Sequence, residues 1–247
     1  MGESVPEPLS QLIGDLDIPH SYPSNIHVQI HKLAHQYFTA MNVADDLQSQ
    51  FRSGLNSIIY RYKSSVESGD AFSQSAITHG GAPPQPQRYY QERDFFLFVM
   101  SDATCLETMV YALFAWGAAI YPTKFRFEND IQRRKIKIQT TISTYEEIDQ
   151  GIRLANALRS VLEDDEYGKW MTLRRVLFHR GLPGRLILAT TGPIEPRSRY
   201  HSFANLEGIE VHPDSISSMI SWLTTTLENT LSIALTMMES QTVGRLG

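Results

Sequence analysis

Apolar residues recur three and four positions apart along most of this chain, the spacing that gives an α-helix one buried face. The first such run is Ile26, Ile30, Leu33, Tyr37, Met41, Ala44 and Leu47, with Ser24 or Asn25 placed to cap it. It continues, or restarts near Gly54, through Leu55, Ile58, Ile59 and Tyr62 to about Ser65. From about Tyr89 to Ile120 the chain is at its most apolar, and Pro122 stops that helix. Thr144 with Glu147 makes a capping box for a helix through Ile148, Ile152, Leu154, Ala155, Leu158 and Leu162. An acidic turn, Glu163 to Glu166, and Gly168 separate it from a helix with Trp170, Leu173, Val176 and Leu177 on one face. Gly181, Pro183 and Gly184 end that helix. Pro213 and Asp214 open the last one, whose apolar face runs from Ile216 to Met238.

The intervening stretches set the organisation. Residues 1–24 hold four prolines and little periodicity, an extended arm ahead of an N-terminal helical segment at 25–67. Gly69, Gly80, Gly81, Pro83, Pro84 and Pro86 make residues 68–88 a flexible linker. The rest, 89–240, is a helical bundle. Within it, 124–142 carries two patterns: the alternation Ile136, Ile138, Thr140, Ile142 suits a short strand, and the basic run suits an exposed helix. Residues 181–212 read as a long polar loop. The fold class is all-α, an antiparallel helical bundle of about five helices.

Composition narrows this only a little. At 247 residues the chain can bury a full core, and its single cysteine, Cys105, excludes an internal disulfide and fits a cytoplasmic protein. The acidic, proline-bearing start lacks the basic and apolar runs of a secretory signal. The apolar stretch 95–120 is interrupted by Asp102 and Glu107, and its uncharged part, Thr108 to Thr123, is shorter than the roughly 20 residues a bilayer requires. It reads as a buried core helix, so no membrane partner is expected.

Charge changes the picture more. The whole chain is −5, yet residues 169–199 sum to +6 and residues 124–137 to +4. Phe125, Phe127, Tyr200 and Phe203 lie among these cations, where they could stack on bases. RNA is the polyanion partner this suggests; the alternative is two solvated basic faces balanced by acids elsewhere.

The basic helix end carries the candidate chemistry. Arg174 and His179 stand five positions apart, a little over one turn, so that their side chains could converge, and Arg175, Arg180 and Arg185 flank them. An arginine that forks onto phosphate beside a histidine that titrates near neutrality suits a phosphodiester site. A cationic helix end favoured by the helix dipole is the plainer reading. Asp102, an acid inside the apolar helix, wants a partner and is expected to pair with Arg174 or another motif arginine and orient it. Cys105 on the same helix reads as inert core. His27, His31 and His35 share one stripe of the first helix, but three along one helix with no cysteine or acidic ligand suit a single ion poorly. They read as a polar or interface stripe, with no metal.

The order of elements over roughly 90–240, with the Arg174-Arg175…His179-Arg180-Gly181 run, resembles the HEPN superfamily: all-α bundles that pair into dimers and often act as metal-independent ribonucleases. Arg174 and His179 match the family's two signature positions, and Arg175 fills the polar slot between them, where asparagine is usual. The resemblance implies a homodimer acting on RNA without a metal or other cofactor, in a toxin–antitoxin, defence or stress setting. His179 would move the proton of a ribose 2′-hydroxyl or of the leaving oxygen, and Arg174 would stabilise charge on the phosphorane-like transition state. Arg175, Arg180 and Arg185 would hold phosphates. The alternative is a non-catalytic helical module that binds RNA or a protein partner and keeps the motif helix for packing or dimerisation.

Overall fold

The computed structural model describes residues 16–80, 83–180, 209 and 211–246. Among these residues there are eight α-helices and no strand. In chain order they are α1 (Ser24–Met41), α2 (Asp45–His79), α3 (Gln87–Ile120), α4 (Asp130–Arg133), α5 (Ile138–Glu146), α6 (Ile152–Glu163), α7 (Asp165–Arg180) and α8 (Pro213–Leu246). A 3₁₀ turn, Asp149–Gly151, leads into α6. The expected all-α character holds. The count of about five differs because one run is broken in two and because 124–147 supplies two short helices.

The first helical run divides at Asn42. Asn42 is left-handed, with φ at 49°, and its backbone N–H reaches the Phe38 and Thr39 carbonyls, closing α1. α2 then starts with Asp45 and Asp46 in its first turn, where acids favour the helix dipole. It does not stop near Ser65. It runs to His79, so residues 68–79 of the expected linker are helical. Gly69 reads as a breaker in sequence, but here it is a notch: a Cβ there would lie 3.0 Å from Phe98, Ile216 and Ile220. Gly80, at φ 67°, provides the stop, donating to the Ala76 carbonyl at 2.9 Å.

The segment after α3 holds no strand; of its two patterns the exposed helix is the one that appears, as the short α4 with no buried residue. Phe125 and Phe127 are buried, and α4 and α5 follow. Thr144 sits inside α5, donating to the Thr140 carbonyl at 2.8 Å, so the capping box it forms with Glu147 in sequence is not used. α6 begins later, at Ile152, and buries Leu154, Ala155, Leu158 and Val161.

The described residues group into two compact units, one within Met1–Ile59, Leu106–Leu162 and Thr224–Gly247, the other within Tyr60–Cys105 and Glu163–Leu223. The first centres on Trp116, whose ring lies 5.2 to 5.9 Å from those of Tyr37, Phe38 and Phe51. The indole N–H of Trp116 is satisfied by Gln241 Oε1 at 2.9 Å. Beside it, Phe125 packs edge-on to Phe114 at 4.9 Å and Tyr145 at 4.7 Å. The second unit centres on Trp170, edge-on to Phe98 at 5.1 Å, with Phe72, Phe95, Val99, Leu173, Val176, Ile216 and Met219 around them.

Among the described residues α3 alone is long and apolar enough to cross a membrane by length and composition, and 72% of its most apolar window is buried inside the protein. The expectation of a buried core helix agrees with that burial.

Phe125 seats on Gly117 so closely that a Cβ there would come within 2.5 to 2.7 Å of the ring. Gly117→Ala should therefore lower stability by about 1–3 kcal/mol through overpacking. Denaturant unfolding measures this; an unchanged midpoint would mean that the ring does not depend on the notch.

Candidate active site on the seventh helix

α7 forms where the sequence places the basic motif, though it starts earlier than expected. Asp164 accepts from the Glu166 N–H at 2.8 Å, Asp165 and Glu166 occupy the first turn, and Gly168 lies within the helix with open space around its Cα. Lys169 pairs with Glu166 at 2.7 Å and is thereby removed from the basic cluster. Trp170, Leu173, Val176 and Leu177 are buried, as their spacing predicts. That burial fixes the rotation of the helix and so decides where the motif positions fall.

Arg174 is half-buried, Arg175 is exposed and Phe178 is 64% exposed. With Met171 they line a cavity of about 240 Å³. The backbone of His179 and Arg180 completes the last turn; their side chains, and all of Arg185, lie outside the described residues. Backbone geometry alone carries information here. Five positions along a regular helix are about 140° apart around the axis and about 7.5 Å along it. Positions 174 and 179 therefore do not share one face of α7. The convergence expected from spacing needs either a bend of long side chains round the helix or a second copy of the motif.

Asp102 does not join the motif. It is 1% exposed, its Oδ1 accepts a hydrogen bond from Ser65 Oγ, and its Oδ2 has no partner. One residue before each, Ser64 and Ser101 share a 3.0 Å hydrogen bond. The structure thus gives Asp102 a serine from α2, not a motif arginine, as its orienting contact. The Ser64-Ser65 step in an otherwise apolar helix face was the available signal. Burial raises the Asp102 carboxyl well above its ordinary range. Cys105 is likewise raised by burial first and the Asp102 carboxyl second, against the opposing charge of Arg61, which keeps it an unreactive thiol.

The histidine stripe does not converge. His27 is buried and shares a 2.6 Å hydrogen bond through Nδ1 with the Tyr22 hydroxyl. Burial, and then the neighbouring His31, push its pKa down to about 3. His31 is lowered by burial, Arg52 and His35. His35 is exposed and accepts from Arg52 Nη2 at 3.1 Å. Among the described residues no three of His, Cys, Asp and Glu come together as ligands for an ion.

The second basic run is partly reassigned. Phe125 and Phe127 face the core, so neither can stack on a base. Tyr200 and Phe203 lie outside the described residues. Lys124 pairs with Glu147 at 2.7 Å, and Arg133 with Asp46 and, at 3.6 Å, Asp130.

The raised Asp102 carboxyl has a definite consequence with pH. A folded pKa above the unfolded value, about 3.9, gives a contribution that is fully present below that value and is lost as pH rises through the folded one. Asp102→Asn keeps the shape and an acceptor for Ser65 but cannot ionise. It should raise the melting temperature at pH 7 to 8, with the gain shrinking to nothing near pH 4. A gain of the same size at both ends would refute the titration of Asp102 as its cause.

Comparison with family models, curated proteins and solved structures finds no match.

Proposed function

We propose that this protein is HEPN-like and acts as a metal-independent endoribonuclease, as a cytoplasmic homodimer in a toxin–antitoxin, defence or stress role. The observation that carries this reading is the placement of the motif. A long apolar helix (α3), a variable segment with α4 and α5, a helix (α6), the basic helix (α7) and a long final helix (α8) follow in the order the resemblance implies. The buried face of α7 leaves Arg174 and Arg175 beside a cavity. His179 is the proton-transfer group, Arg174 stabilises the transition-state charge, and Arg175, Arg180 and Arg185 hold phosphates. Because positions 174 and 179 lie about 140° apart on one helix, the active arrangement takes the opposing motif from a second copy. Asp102 is left out of this site, since its hydrogen bond goes to Ser65.

The same separation favours a second reading, a non-catalytic helical module that binds RNA or protein and keeps α7 for packing. Incubating wild type, His179→Ala and Arg174→Ala with a mixed RNA pool in EDTA separates the two, with melting temperatures measured in parallel. The nuclease reading expects wild-type cleavage that falls about 10²–10⁴-fold in His179→Ala at an unchanged melting temperature. Intact RNA in every sample, with a lowered melting temperature in the variants, overturns it in favour of the packing module.

A further inference from the structure

The segment between α3 and α5 carries six cations, and the structure divides them into two kinds. Lys124 and Arg133 are anchors. Lys124 holds Glu147; Arg133 holds Asp46, lies 5.0 Å over the Phe127 ring and donates through Nε to the Phe127 carbonyl at 3.3 Å. Phe125 in the Gly117 notch and Phe127, 5.5 Å from Tyr111, fasten the same stretch to the core from beneath. Arg126, Arg134, Lys135 and Lys137 are different. All four are exposed, and none has an ion-pair partner among the described residues.

Four like charges within twelve residues repel one another. The chain has acids in excess, 27 against 22 cations, so the lack of an ion-pair partner for these four among the described residues is not forced by composition. Their supporting backbone is pinned by the two anchored cations and the two buried rings. Little ordering cost therefore remains when an anion binds. We propose that Arg126, Arg134, Lys135 and Lys137 form a docking ribbon for the phosphate backbone of single-stranded RNA. This rests on the reading of the protein as acting on RNA, and it assigns part of the binding to a surface separate from α7.

The apolar surface of the segment sets the RNA backbone above a lipid surface. With both phenylalanines turned inward, Ile131 at 70% exposure is the one large apolar side chain that the segment exposes. A single isoleucine is too small an anchor for a bilayer, which takes an extended apolar face. The absence of an exposed ring from the segment also removes base stacking, so the contact is electrostatic and indifferent to base sequence. Two arginines supply forked donors suited to phosphate oxygens.

The test measures salt dependence of binding for a labelled single-stranded RNA, using full-length protein carrying His179→Ala so that the RNA is not cut. It compares that protein with a version adding Arg126→Gln, Arg134→Gln, Lys135→Gln and Lys137→Gln. A charge control adds Lys32→Gln, Arg88→Gln, Arg153→Gln and Arg159→Gln instead, and melting curves check that all three fold. Each phosphate contact on a single strand contributes about 0.7 to the slope of log affinity against log salt, so the ribbon variant should lose about 2.8 and the control almost none. Between about 50 and about 200 mM salt, the parent then loses about 50-fold more affinity than the ribbon variant. Equal slopes in all three, with RNA still bound, overturn the ribbon and leave the RNA reading standing. No RNA bound by any of them overturns both. If the four substitutions abolish binding to phosphatidylserine vesicles and leave the RNA slope intact, the occupant is a membrane and the proposal fails.

Discussion

Close approach at bare backbone is the constraint on which both units depend. At Gly117 the Phe125 ring occupies the space a side chain would take, and at Gly69 Phe98, Ile216 and Ile220 close to 3.0 Å of where a Cβ would lie. Each notch lets a bulky apolar group reach the axis of a long helix, and interiors packed at crystal-like density do not tolerate an extra methyl there. In the first unit this seats the irregular stretch after α3 against the Trp116 core. In the second it sets α8 and α3 against α2, and so shapes the apolar bed into which the buried face of α7 fits.

Helices with a strong one-sided pattern were legible from residues alone. The face of α7 is the clearest case: Trp170, Leu173, Val176 and Leu177 are buried where their spacing puts them. Signals resting on a single residue were less secure, because tertiary contact overrode local preference. Gly69 suggests a break, yet the helix runs on, since the loss in helix propensity, about 1 kcal/mol, is offset by packing that only a glycine permits. Thr144 and Glu147 have the spacing of a cap, but Thr144 bonds back to Thr140 within a helix that has already begun. The alternation Lys124-Phe125-Arg126-Phe127 looked like aromatics offered alongside cations. The stretch leaves α3 through a turn closed on the Tyr121 carbonyl, and there the rings go in while the charges stay out.

The candidate site was legible as composition but not as geometry. Clustered arginines near the end of α7 mark a place where an anion could be held, and Arg174 does border a cavity. The spacing of Arg174 and His179, read as one turn, overlooks the extra 1.4 residues, which swing the second position far round the helix. Asp102 shows the converse. Its need for a partner followed from an acid in an apolar helix, whereas the partner's identity depended on which serine of α2 came to lie opposite.

Two of the buried ionisable groups, His27 and Asp102, respond to acid in opposite senses. His27, in the first unit, is held neutral far below its ordinary range, so acidification between about pH 6.5 and 3 favours the unfolded form, which takes up the proton more readily. Asp102, in the second, has its carboxyl raised well above its ordinary range by burial, so the same change relieves a burden on its surroundings. Acid therefore weakens one unit while easing the other.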